Sequence, residues 1–442
     1  MDLARVISAV VAAWRPPPSD AVSEPSQEPC QDSPQDPHLD PAILSRLIST
    51  AFEASLLREE NRPLTFRMIM RCPDRFPDVV GKPTALQRLP FDAMRPFTAQ
   101  ELRRLTPAVD HDRALVGVCV DANGELRIWG IVHSGPRWLE QFYGGRGAVL
   151  NLPDSLIIGV NDPGYLVISQ GARPLCALEG GVLQDSRLNV FGSKWFPQLF
   201  AGFRQELSQL HEAAKEESGG AWADLDNNFT RMVGRQMIQR LISTIQRSRH
   251  GGTLLIVPVE RADELVQPNP WIKLKYKFVG EEPRSRFRHL IVRTMNTLAA
   301  ANSHLQSGQG SVGWDEYGGA VGPELAALDE AIFELAHMVA TLTAVDGAVV
   351  VTRRFELLGF GGEIAGALSE VTSVARAFDP EGKTCQVEPT EDVGTRHRSV
   401  YRLCNTLHDV MGIVVSQDGG ARFVRWNDSQ VTYWNHSSLT PP

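Results

Sequence analysis

Three runs in the second half of the chain, TLLIVPV (253–259), AVVV (348–351) and GIVV (412–415), are apolar almost throughout. Successive side chains of a strand point to opposite faces, so a run without alternation reads as a strand buried on both sides. A sheet built from such strands needs cover on each face, and the intervening segments offer it as amphipathic helices. Phe229, Val233, Met237, Leu241 and Ile245 mark one face of a helix running to about Arg247. Two more helices are predicted over about 284–305 and 323–341. The second has Pro323 at its first position and Leu325, Leu328, Ile332, Leu335 and Val339 as its buried stripe. The expected fold class is α/β, with a central mixed β-sheet flanked by helices over 225–442. A strand-rich α+β domain is expected ahead of it, over 43–220.

That earlier domain rests on LTFRMIM, ALVGVCV, LRIWGIV, SLIIGV and GYLVIS, strand-like runs parted by turns such as DANG and NDPG. His111 and His133 stand alone there, without a catalytic grouping. Residues 15–41 are rich in Pro, Ser, Asp and Gln and read as a flexible linker. The opening MDLARVISAVVAAW reads as a short amphipathic helix that docks on the protein or on a partner, so that 1–42 forms a helix and linker. The six cysteines (Cys30, Cys72, Cys119, Cys176, Cys385 and Cys404) form no CxxC pair, which fits a reducing compartment. No apolar stretch has the length of a membrane span, and a cytoplasmic protein is expected. The net charge of -8 argues against general nucleic-acid binding while leaving room for a local anion site.

One such place is VGTRHRSVYRL (393–403). Val400, Leu403, Cys404 and Leu407 follow at helical spacing, and Gly394–Thr395 reads as the turn and N-cap. Arg396, His397 and Arg398 then fall in the first turn, where partial positive charge favours carboxylates. The turn is either a solvated basic surface or an anion site of the kind helix N-termini make with phosphate. Asp346–Gly347 at the mouth of the strand 348–351 is either a plain turn or a carboxylate placed to hold a metal or accept a proton. Ser416 and Asp418 end the strand that follows the basic helix, so that these elements could share one cleft at strand ends. GQGSVG (308–313) formally matches GxGxxG, but it follows a helix and is expected as a loop with no helix opening after it.

The order Asp346–Gly347–Ala348, then Gly394–Thr395–Arg396–His397–Arg398, then Val414–Val415–Ser416–Gln417–Asp418–Gly419 resembles the diadenylate cyclase (DAC) domain family. HGGTLLIVPV is similar to that family's first core strand, and LLGFGGEI to its glycine-containing segment. The resemblance covers roughly 225–442, and the region ahead is similar to the DACNV-type sensor domains that precede some members. It implies condensation of two ATP molecules to cyclic di-AMP with release of two pyrophosphates, between facing domains of a homodimer or higher homo-oligomer. It also implies Mg2+ or Mn2+ held by Asp346 and Asp418, with Asp346 as the catalytic group at the ribose 3′-oxygen. Thr395, Arg396, His397, Arg398 and Ser416 would grip phosphate, while Gly347, Ala348, Gly359, Phe360 and Gly361 would lie against the nucleoside. The N-terminal domain would answer an unknown ligand or protein. Gln417 and Asp418 stand where many members carry two glutamates, Val345 replaces a common His, and EVTSVARAFDPEGKTCQVEP lengthens the interval before the basic helix. The alternative is a catalytically weak receptor for ATP or a cyclic dinucleotide that signals to partners.

Overall fold

The computed structural model describes residues 3–15, 40–76, 86–111, 113–133, 153–171, 173–184, 190–219, 222–305, 310–320, 322–364, 368–417 and 420–436. The chain divides into two compact units, and the second begins before the described residue Val190. The expected boundary near 220 is therefore corrected. Phe191, Phe196, Phe200, Phe203 and Leu207 bury themselves in the core of the second unit, not the first. The linker segment 16–39 and Cys30 lie outside the described residues. Among the described residues, no helix is long and apolar enough to cross a membrane.

The first unit contains helices α1 (Leu3–Ala13) and α2 (Pro41–Ser55), strands β1 (Phe66–Met70) and β2 (Gln87–Pro96), and helix α3 (Ala99–Leu105). Strands β3 (Ala114–Val120), β4 (Leu126–His133), β5 (Leu156–Asp162), β6 (Tyr165–Gln170), β7 (Arg173–Glu179) and β8 (Val182–Gln184) follow. They form an eight-stranded sheet in the order β8-β7-β6-β5-β1-β3-β4-β2. The opening helix docks on its own unit. Val6 and Val10 are buried in this core, and Arg173 donates to the Ala13 carbonyl at 2.6 Å. Asp40 caps α2 by accepting from the Ala42 and Ile43 amides, which starts the helix cleanly at Pro41.

The second unit is a three-layer α/β structure. Its helices α4 (Ala201–Ser218) and α5 (Phe229–Ser248) lead into β9 (Gly252–Val257) and β10 (Ile272–Lys277). Helices α6 (Glu282–Ala301) and α7 (Pro323–Thr341) precede β11 (Ala348–Thr352), β12 (Leu357–Ile364), β13 (Ser373–Ala377) and β14 (Cys385–Pro389). Helix α8 (Thr395–Thr406) and strands β15 (Met411–Val415), β16 (Ala421–Asn427) and β17 (Gln430–His436) complete it. The nine strands run β10-β12-β11-β9-β15-β16-β17-β13-β14. The segment 370–389 supplies the hairpin β13–β14, which extends the sheet by pairing parallel to β17. The far edge, β10, alternates Lys273, Lys275 and Lys277 with apolar or aromatic residues, a composition that resists pairing with another sheet.

Both faces of the central strand are covered, which is why its sequence does not alternate. Leu254 and Ile256 pack into the cluster formed with α4, α5, α6 and α7. Leu255 and Val257 pack on the opposite face with Val400, Leu403 and Cys404 of α8. GQGSVG departs from its expected form. Ser311–Val312 pairs with Asp224–Leu225, and a short helix, Trp314–Gly319, opens immediately after Gly313. Trp314 and Tyr317 pack on Phe229, so this helix belongs to the core.

Two outcomes follow from this packing. A Cβ at Gly412 would lie 2.3 Å from Val400 Cγ1, so Gly412→Ala drives α8 off β15. Overpacking of this kind costs about 1–3 kcal/mol, measurable by urea denaturation, and Val400→Ala in the same chain restores part of the loss. Burial, reinforced by the nearby Arg235 guanidinium, pushes the His436 imidazole down to about 4. An unfolded histidine titrates near 6.5, so between about pH 6.5 and 4 the unfolded chain takes up a proton that the folded one refuses. Stability therefore falls as pH drops through that window, and His436→Gln flattens the fall in thermal melts.

Candidate functional site

The sheet register brings distant segments to one rim. Strand β9 pairs parallel to β11, with Thr253 opposite Ala348, and antiparallel to β15, with Gly252 opposite Val415. Ala348 in turn lies opposite Gly362 of β12. The residues just beyond these pairs therefore line one edge of four adjacent strands. They are Gly251, Asp346–Gly347, Glu363 and Ser416, and Gly361–Gly362 of β12 lie against Gly347. Three strand spacings make this rim about 14 Å wide. It is the entry edge of the parallel pair β9 and β11, and the antiparallel strands β12 and β15 both end there. Pairing direction, which local sequence does not encode, decides which strand ends meet at the rim.

Glycines shape the rim. Gly347 has φ +118, and a Cβ there would lie 2.6 Å from the Gly361 carbonyl carbon. Gly361 also has positive φ, at +62. Gly251 has φ +65, and its Cβ would meet Val415 O at 2.6 Å and Arg396 Nη1 at 2.8 Å. Only glycine combines these dihedrals with such close approach. Arg396 Nη1 donates to the His250 carbonyl at 3.0 Å, tying the basic helix to the start of β9. Gly251 was not legible as a site residue in the sequence. The HGG turn was legible as a tight connection, but its proximity to Arg396 depends on pairing across the sheet.

Helix α8 is capped by Gly394 and begins at Thr395, so Thr395 is the first helical residue and not the N-cap. No side chain caps this helix, and its first turn contains no acid. Thr395, Arg396 and Arg398 are exposed, and His397 is half-buried. The buried face of Val400, Tyr401, Leu403 and Cys404 fixes the helix on the sheet, leaving the basic residues at its free end. Asp346 is exposed at the strand mouth. Ser416 opens the β15–β16 turn, its amide donating to Gly420 O at 2.8 Å. Asp418 lies outside the described residues.

The expected nucleoside-facing group divides. Gly347 and Gly361 belong to the rim. Ala348 is buried in the core beneath it. The segment expected as a glycine loop, Gly359–Gly362, is part of strand β12. Gly359 meets the backbone of β10, where a Cβ would lie 2.3 Å from Tyr276 O, and Phe360 stacks on Tyr276 at 4.7 Å. Gly359 is thus about 10 Å along the strand from Gly362, away from the rim.

No group of three or more His, Cys, Asp or Glu residues forms a metal cage among the described residues. Asp346 is a hard carboxylate exposed on the rim. That suits a cation such as Mg2+ or Mn2+ that takes its remaining ligands from phosphate and water, rather than an ion enclosed by protein. Gly347→Ala should destabilise the second unit by about 1–3 kcal/mol through strain at φ +118 and the clash with Gly361, read by chemical denaturation.

Residues 33–133 match the family described as the probable sensor domain DACNV. The matched stretch runs from the segment ahead of α2 to the end of β4 and lies within the first unit. No curated protein and no solved structure matches the chain significantly. The first unit therefore carries, over residues 33–133, a stretch that matches the probable sensor domain DACNV.

Proposed function

We propose that the protein is a diadenylate cyclase, condensing two ATP molecules to cyclic di-AMP and two pyrophosphates under the control of its sensor domain. One observation carries the reading: Asp346–Gly347, Gly361, Gly251 and the Arg396 side chain converge on a single rim. The DACNV match adds support, since domains of that type precede some members of the family the second unit resembles. Adenosine would lie along the glycine rim, where the backbone can be approached closely. Thr395, Arg396, His397, Arg398 and Ser416 would hold the triphosphate, with the arginines supplying forked, permanently charged donors.

Asp346 would sit at the ribose 3′-hydroxyl and favour loss of its proton. The 3′-oxygen forms a bond to the α-phosphorus of the second ATP, and the bond from that phosphorus to pyrophosphate breaks. The same exchange in the opposite direction closes the ring. Mg2+ or Mn2+ on Asp346 and the phosphates would supply charge neutralisation at the reacting centre. Each rim would hold one ATP, so two rims must face each other, and a homodimer or larger homo-oligomer is required.

A second reading, a receptor that binds ATP or a cyclic dinucleotide without turnover, is favoured by the exposed amide Gln417 beside the rim. It stands where the resembled family often carries an acid.

Incubation of the full chain with ATP and Mn2+ or Mg2+, followed by mass spectrometry, separates the two. Cyclic di-AMP is expected, with none from Asp346→Asn although that variant still binds ATP. Arg396→Ala with Arg398→Ala should weaken ATP binding at least tenfold, from the loss of charge-assisted contacts. Bound but intact ATP would favour the receptor, and undiminished binding by the double variant would remove the role given to α8.

A further inference from the structure

The second unit contains a cavity of about 250 Å³, lined by Phe196, Phe200, Phe203, Phe287 and Phe355. All of these rings are buried. Phe200 stacks on Phe355 at 5.4 Å with 12° between the planes, and Phe287 packs 4.6 Å from Phe355. Phe355 lies in the turn between β11 and β12, at the opposite edge of the sheet from Gly347. The cavity is therefore separate from the rim.

Arg204, Arg231 and Arg235 line the same cavity. Arg204 donates to the Pro197 carbonyl. Arg235 lies 5.3 Å above the Phe191 ring, and its buried Nε has no hydrogen-bond acceptor. Desolvation and the like charge of Arg231 lower the pKa of both Arg204 and Arg235, and among the described residues no carboxylate offsets them. His436, also near Arg235, is neutral at pH 7 and supplies no counter-charge. Partly buried guanidinium groups without an anion are unfavourable, and an incoming carboxylate would relieve them through bidentate contacts.

We propose that this cavity binds a small amphipathic carboxylate, its head on Arg231 and Arg235 and its apolar body among the phenylalanines. The site does not depend on the nucleotide reading of the rim. An apolar cavity of about 150 Å³ holds benzene, so this one suits a chain of about eight to ten carbons and is too small for a two-chain phospholipid. The occupant is a medium-chain fatty acid.

The test is calorimetric titration of the full chain with decanoate below its micellar concentration, with 1-decanol and acetate as single-feature controls. Saturable decanoate binding is expected, at least tenfold tighter than decanol, with none for acetate. Arg231→Gln, at an exposed position, and Arg235→Met should each weaken decanoate at least tenfold and leave decanol unchanged. Arg396→Ala should leave decanoate binding intact. Equal affinity for decanol and decanoate, wild-type binding by both arginine variants, loss of binding in Arg396→Ala, or no saturable decanoate binding would each overturn the proposal.

Discussion

The second unit depends on one strand being hydrogen-bonded on both sides. Strand β9 pairs with β11 along Thr253–Val257 and with β15 along Gly252–Ile256. These ladders join segments about a hundred and about a hundred and sixty residues apart, and they fix where Gly251, Asp346 and Ser416 emerge. A slip of one residue in either ladder would turn Leu254 and Ile256 from the helical layer to the α8 face and dismantle both cores. The burial of alternate residues on both faces therefore enforces the register that assembles the rim.

Much of this architecture was legible in the sequence. The unbroken apolar runs indicated strands covered on both faces, and Phe229, Val233, Met237, Leu241 and Ile245 are all buried along α5. Helix α7 spans Pro323–Thr341, as its proline and leucine stripe required. The boundary between units was not legible. Phe191 to Leu207 is an aromatic stretch that could cover either sheet, and its packing on Phe287, Phe355, Phe423 and Trp434 assigns it to the second. A local pattern specifies how much surface must be buried, not against which partner.

The site was legible in composition and less so in geometry. The basic turn stood out because it opposes the ordinary preference for its position, and Asp346 because it precedes a glycine at a strand mouth. Gly251 and Gly361 owe their meaning to contacts made across strands, and their positive φ angles leave no mark in a single sequence. Likewise, nothing local distinguishes Gly359, which serves strand packing, from Gly361, which serves the rim.

Helix α5 has a further consequence. Its first turns line the aromatic cavity through Arg231, Val233 and Arg235, and its last turn passes into His250 and Gly251 at the rim. The helix spans 20 residues, about 30 Å, without proline. A rod of that length converts a tilt of about two degrees at one end into a displacement of about 1 Å at the other. Because Gly251 has no slack against Val415 and Arg396, such a movement cannot be absorbed by the loop. It would instead be transmitted to the basic helix as a change in where Arg396 points, so the two ends of the sheet share one mechanical element.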